Sequence, residues 1–478
     1  MTKMTIQPDC VVLSTAAGSD TLQAAINAAQ SAGIPLNIAG GIYTTAPLTI
    51  TAAVTIVAAK NGVLLRSTGS NAIHVSVGST SGRIGDVVFK GVSFDGESKP
   101  LAAGASGIVA FTQTDRIVIE DCSFWRANGV AVALSNSGGR VAGNSFDTCD
   151  TALSSVNATG LTVENNSIFN SANNGVMIVH QPYGQVAFDG AIIHRNRIYQ
   201  TNNASGGSGQ FGNAIICNQT RYLRITDNFI AGANFSAIRC NLCPDAVISG
   251  NQVYNARETA IFVENPGEIA PGWSNIVVTN NTLNTVGGGI HLVNTNAGAR
   301  RAAVVGNVIY NSLQNQFPEY TTPDTNPANK YTRITHGSGI VAGEDCIVEG
   351  NAIELTAGPG VMALVSGTWN SATQSAPDRN TVSARVSGNI LKQCEVGVGY
   401  WDYDTRGFAE IADNIVSGAT AASIIRMQGT NLVGVPGNPN NGWGPFAIVA
   451  GSSDMGATAS PITDRFSFNR NKIVPATN

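Results

Sequence analysis

The sequence predicts an all-β fold, a solenoid of short parallel strands stacked rung upon rung. Three observations carry this. First, Leu161–Asn281 repeats one pattern: LTVENNSI, AIIHRNRI, LRITDNFI, AVISGNQV, IVVTNNTL. Its Asn falls at Asn166, Asn196, Asn228, Asn251 and Asn281, with looser copies at Asn144, Asn307, Asn351, Asn389, Asn414 and Asn471. A repeat of roughly 20–30 residues holding short strands is the mark of a solenoid. Second, another alternating strand precedes each Asn-bearing one: GVMIV, NAIICN, SAIRCN, TAIFVE and GGIHLV. Third, glycine is abundant (53 residues), while aromatic (6%) and charged (12%) residues are few, which favours turns and small side chains over long helices.

In chain order, Met1–Ser19 holds little pattern. It has no charged segment followed by an apolar run, and no stretch of the chain is apolar for long enough to span a membrane. Residues 20–33 read as an amphipathic helix that covers the open end of the solenoid. Thr21 caps it, Leu22, Ala25, Ile26 and Ala29 form its apolar stripe, and Gly33 ends it. Residues 35–428 form the coils. LNIAGGIYTT, LTITAAVTIVA, GVLLRS and AIHVSV are the first rungs. VVFKGVSFDG and IVIEDCSFW are early copies of the repeat, with Val92 and Cys122 where Asn stands later. In the central copies Ile215, Ile238, Ile261 and Ile290 share one face with Cys217, Cys240, Val263 and Leu292 and point inward. Asn tolerates the left-handed backbone of a tight turn, and in register its amide reaches the copies above and below, so the Asn residues are structural. Two long loops interrupt the coils, at 311–337 and 366–381, of the kind that wall a binding face. Residues 429–478 form the C-terminal cap, with a last strand at FSFNRNKI. A solenoid adds core linearly, so one domain over 1–478 is the expectation.

The opening TLQAAINAAQSAGIPLNIAGGIYTTAPLTI resembles the start of the pectate-lyase-like superfamily of right-handed parallel β-helices. The run NNGVMIVHQPYG, GGSGQFGNAI, FSAIRCN, ETAIFVE resembles more narrowly a rhizobial group of twin-arginine-exported β-helix repeat proteins with no assigned activity. The likeness covers about residues 20–430. It implies a right-handed parallel β-helix and carbohydrate chemistry. It also implies a periplasmic or secreted location, although no twin-arginine signal or other signal peptide is present in this sequence. Related folds form trimers by side-by-side packing, so a homo-oligomer is a further implication. Calcium serves some members of the superfamily, but no Asp cluster on adjacent rungs stands out, and neither a metal nor another cofactor is assigned.

A net charge of −4 without a basic patch excludes nucleic acid as the expected partner. The eight Cys residues are spread along the chain, and inward Cys217 and Cys240 read as small apolar core residues. Cys240-Asn-Leu-Cys243 is a lone CxxC without a second pair. There is no P-loop and no HExxH, and glycine-rich GGSGQFG precedes a strand, so it reads as a tight loop lining a cleft, with Gln210 and Phe211 on it.

Alternation then locates a candidate site. If the isoleucines point in, Ile216, Arg239, Phe262 and His291 point out, as do Asn218, Asn241, Glu264 and Val293. Arg239, Glu264 and His291 therefore share one outer face within three rungs, about 5–10 Å apart. Asn218 and Asn241 flank them, His180 ends the equivalent strand one rung earlier, and Tyr183 is a further candidate for the cleft wall. A guanidinium could bind a uronate carboxylate, and His291 or Glu264 could take the C5 proton, which is β-elimination on an acidic poly- or oligosaccharide. Two alternatives stay open. A glycoside hydrolase or glycosyl transferase would pair Glu264 with Glu258 or Asp189, or use Asp402 and Asp404 beside Tyr400, Trp401 and Tyr403. Trp401 and Asp402 also suit a sugar-stacking platform. The other alternative is a non-catalytic glycan-binding surface protein.

Overall fold

The computed structural model describes every residue except 1, 17, 59–61, 182–186, 189, 203–211, 265–274, 294–301, 314–315, 319–331, 335–336, 343–345, 365–382, 402–407, 421, 428–465 and 475–478. The fold is all-β, a right-handed parallel β-helix whose N-terminal helix, Leu22–Ala32, acts as a cap. The chain divides into two compact units, Met1–Asn202 and Asn203–Asn478.

In the first unit the helix forms as its sequence dictates. The Thr21 side chain accepts from the Ala24 N–H, and Gly33 closes the helix at φ 66°, a left-handed value that costs glycine nothing. Leu22, Ala25, Ile26 and Ala29 are its buried residues. On the opposite side of the contact, Gln23 exchanges two hydrogen bonds with the backbone of Thr49, at 2.9 and 2.8 Å. Gln30 donates to the Ala52 carbonyl at 2.8 Å. These amides occupy backbone groups that would otherwise invite another strand. The segment before the helix, without a readable pattern in sequence, forms an antiparallel pair, Lys3–Ile6 with Val11–Ser14, and the second of these begins a parallel ladder with Leu36–Ile38.

A typical coil contributes three strands, where the sequence pattern suggested two, although Ala352–Leu364 and Ile390–Trp401 each run through as one strand. Thr162–Glu164, Ser167–Ser171 and Asn174–Val179 are one such coil. The Asn motif is a corner between two strands, and the physical reason is the residue before the Asn. Asn165 (φ 54°) takes the left-handed conformation, as do Asp227 (55°), Asn280 (56°) and Gly306 (67°) in later coils, while the ladder Asn itself does not. The ladder hydrogen bonds are as expected. Asn144 Nδ2 donates to Asn166 Oδ1 and Asn166 Nδ2 to Asn196 Oδ1, both at 2.9 Å. Cys122, the early copy, joins through its backbone N–H to Asn144 Oδ1 at 2.9 Å. Inside, Phe94, Phe124 and Phe146 stack with centroids 5.0 and 4.9 Å apart, one ring per rung.

The second unit repeats the plan. Its Asn ladder runs Asn228, Asn251, Asn281, Asn307, Asn351, Asn389, Asn414, Asn471, each Nδ2 donating to the next Oδ1 at 2.9–3.0 Å. One of its three ladders is built of Ile215–Asn218, Ile238–Asn241, Ile261–Glu264, Ile290–Val293 and Ile340–Ala342. Of the expected long loop at 311–337, Gln316–Pro318 and Thr332–Ile334 pair as an antiparallel ribbon. The loop at 366–381 lies outside the described residues. The expected last strand, FSFNRNKI, is two strands, Phe466–Asn469 and Lys472–Val474, with Asn471 at the corner. All eight cysteines are buried and free. Burial pushes the Cys122 and Cys149 thiols up to about 12. Cys240 is also driven well above the usual thiol range, first by its hydrogen bond with Cys243 and then by burial. These are protonated core side chains.

Candidate functional site

The ladder Ile215–Ile238–Ile261–Ile290 carries the expected register. Cys217, Cys240, Val263 and Leu292 are partners in turn, so alternation sends Ile216, Arg239, Phe262 and His291 outward, and Asn218, Asn241 and Glu264 likewise. Outward does not mean exposed, however. Ile216, Arg239, Phe262 and His291 are all buried. Asn218, Asn241 and Glu264 keep partial access to solvent.

Arg239 and Glu264 are brought together. Arg239 Nη2 donates to Glu264 Oε2 at 2.6 Å. The bond links adjacent rungs, since Asn241 is the register partner of Glu264 and Arg239 stands two residues before Asn241. A second carboxylate completes the pair into a triad. Glu258 Oε2 lies 3.6 Å from Arg239 Nη1, and the Ser236 hydroxyl donates to that same oxygen. Side-chain exposure separates their roles: 8% for Arg239 and 2% for Glu258, but 24% for Glu264. Two rings hold the guanidinium, with its Cζ 4.5 Å from the Phe262 centroid and 5.5 Å from that of Phe235. Arg239 Nε and Nη1 have no hydrogen-bond partner, and neither do the Oδ1 atoms of Asn218 and Asn241.

His291 is set apart. Phe262 occupies the register position between Arg239 and His291. The imidazole lies against the backbone of Gly288, where a Cβ would fall 2.7 Å from its Cε1 and Nε2. Its ring centroid is 6.3 Å from that of Phe262. His180 is a buried residue of the first unit, directly after the strand Asn174–Val179. Tyr183, Asp189, Gln210, Phe211, Asp402, Tyr403 and Asp404 lie outside the described residues, as do the side chains of Tyr400 and Trp401, which end a strand. Among the described residues, no group of three or more His, Cys, Asp or Glu could hold a metal ion, and no helix is long and apolar enough to cross a membrane.

The sequence pattern placed Arg239 beside Glu264 but gave Phe235, Phe262 and Ser236 no role. Glu258 was paired with Glu264 as a possible catalytic partner, not as a support for Arg239. The signal was in the alignment of rungs. Phe235 and Glu258 both stand three residues before the inward isoleucine of their strand, so stacking puts Glu258 next to Phe235, and the Glu258 N–H does donate to the Phe235 carbonyl at 3.2 Å.

The family model described as right handed beta helix region matches residues 42–189. No curated protein matches the sequence. Among solved structures, the catalytic unit of a thermostable GH87 α-1,3-glucanase from Streptomyces thermodiastaticus aligns at 15% identity with a TM-score of 0.49, covering 96% of this chain and 68% of that one. A PL6 alginate lyase in complex with trisaccharide aligns at 15% identity and TM-score 0.47, over 95% of this chain and 94% of the other. The N-terminal fragment of bacteriophage Phi29 gene product 12 gives 12% identity and TM-score 0.50, over 86% and 66%. At 12% identity, the last of these is a likeness of fold alone.

Proposed function

We propose that the second unit carries the active site of a carbohydrate-active enzyme. In it a glycan chain lies along the row Asn218–Asn241–Glu264, and Glu264 is the reacting carboxylate. The observation that supports this most is the row itself: two amides and a carboxylate in register on three successive rungs, each partly open to solvent. Rungs repeat at about 4.8 Å, close to the length of one pyranose unit, so hydroxyls of successive sugars meet successive side chains. Arg239 orients Glu264 from behind, and Glu258, Ser236 and the two phenylalanine rings fix Arg239. Glu264 then serves as the base that deprotonates an attacking water or sugar hydroxyl, or as the nucleophile at the anomeric carbon; the bond from that carbon to the leaving glycosidic oxygen breaks, and the oxygen takes its proton from solvent water, in hydrolysis or glycosyl transfer.

Charge supports this over elimination. The most exposed member of the triad is the Glu264 carboxylate, which repels a uronate. One observation favours β-elimination as the second reading: Arg239 Nε and Nη1 make no hydrogen bond, and a uronate carboxylate is the ligand they would accept. The rings of Phe235 and Phe262 would first have to part. Either reaction suits a periplasmic or secreted protein, the setting implied by the sequence resemblance.

The test is a panel of neutral and uronate-containing glycans, with wild type and Glu264→Gln compared by reducing ends and by ultraviolet absorbance. New reducing ends without absorbance, lost by about 100-fold or more in Glu264→Gln, are the expected result. Unsaturated product would move the assignment to elimination, and turnover unaffected by Glu264→Gln would overturn the site.

A further inference from the structure

The first unit presents another outward row, on the strands that follow the Asn corner. Trp125, Asp147, Phe169 and Tyr199 are register partners in turn, on four successive rungs. The inward stack Phe124, Phe146, Ile168 and Ile198 fixes their direction, and all four keep partial access to solvent. Ser145 and Ser167 stand on the same face, two residues before Asp147 and Phe169.

The geometry leaves one aromatic face open. Phe169 and Tyr199 stack with centroids 5.1 Å apart and planes 5° from parallel. That separation is about one rung, so the rings lie across the ladder direction. The other face of Phe169 therefore looks back over Asp147, whose short side chain leaves a gap of about two rungs, roughly 9–10 Å, before Trp125. Asp147 Oδ1 accepts from Thr148 Oγ1 and Asn170 Nδ2, both at 3.0 Å, while Oδ2 has no partner. The Ser145 and Ser167 hydroxyls and the Trp125 indole N–H also lack partners among the described residues.

We infer that this gap binds one neutral hexose unit of an oligosaccharide. The sugar's C–H face would lie on Phe169, with its hydroxyls donating to Asp147 Oδ2 and exchanging hydrogen bonds with Ser145, Ser167 and the Trp125 N–H. Charge sets the class. Asp147 is paired with a hydroxyl and an amide and, among the described residues, with no cation, so it repels a uronate and accepts an uncharged sugar. The inference does not rest on the reading of Glu264.

The test is calorimetric titration of the full-length Glu264→Gln protein with neutral tetrasaccharides built of glucose, mannose or galactose, and with a uronate tetrasaccharide. Phe169→Ala and Asp147→Ala, each introduced into that background, should weaken binding of a neutral tetrasaccharide by about tenfold or more. Asp147→Asn, which keeps an acceptor and the size, should restore most of it. A thermal melt within about 3 °C of the parent shows that each variant folds. Binding unchanged in Phe169→Ala and Asp147→Ala, uronate preferred over neutral sugar, or tetramethylammonium bound in place of sugar would each overturn the inference.

Discussion

Arg239 carries the most structural responsibility of any single side chain in the site. It lies between two aromatic rings and compensates two carboxylates, one of them buried. Removing it takes the Arg239 cation away from buried Glu258. Arg239→Ala should therefore cost about 3–5 kcal/mol of stability, whereas Glu264→Gln, at a partly exposed position, should cost under about 1 kcal/mol. Chemical denaturation of both variants checks this, and equal losses would mean that the triad is not the unit described. Asp95 in the first unit is the corresponding acid-sensitive residue. Burial raises its pKa, but the hydrogen bond from Arg126, the backbone N–H of Glu97 and the charges of Arg126 and Arg66 outweigh burial and hold it below the usual carboxylate range. A carboxyl whose pKa is lower folded than unfolded adds stability above its unfolded value, about 3.9, and that stability is lost as pH falls through the folded value. The melting-temperature gap between wild type and Asp95→Asn should thus be wide at pH 7 and close below about pH 4. A gap independent of pH would contradict the assignment.

At the scale of the element, the Asn corner is the device that makes the coil. Asn251 shows its working: its Oδ1 accepts from both the backbone N–H and Nδ2 of Asn228, and its own Nδ2 donates to the Ile225 carbonyl and to Asn281 Oδ1. Asn251→Ala removes the buried acceptor of the Asn228 N–H and Nδ2 and the donor to the Ile225 carbonyl, and the loss expected is about 3 kcal/mol in denaturant titration. A loss below about 0.5 kcal/mol would show the ladder to be decorative. The corner was legible in the sequence as a recurring Asn, and so was its hydrogen bonding. Its geometry was less so, because the residue forced into left-handed backbone is the variable one before it: Asn165, Arg195, Asp227, Gly250. Such a position tolerates several residue types, so it leaves no single letter to recognise, and two strands separated by one turn read as one. Lys3–Ile6 and Val11–Ser14 were missed for a related reason. Strands of four residues show too little alternation to stand out.

At the scale of the molecule, what the sequence made legible was the stacking rule. Period-two alternation and a repeated Asn were enough to put Ile215, Ile238, Ile261 and Ile290 in one file, and hence Arg239 and Glu264 side by side. Burial was not legible, because the pattern of a strand states direction and not what covers it. Arg239 and His291 point outward and are nonetheless enclosed. The second row, Trp125–Asp147–Phe169–Tyr199, was hidden because its members lie 22–30 residues apart and share no residue type. The most direct test of the account is a crystal structure of Glu264→Gln soaked with the oligosaccharide that the wild type turns over. The account predicts a sugar lying along Asn218, Asn241 and residue 264, with its reactive bond against the new amide. A reactive bond bound elsewhere, with this row unoccupied, would contradict it.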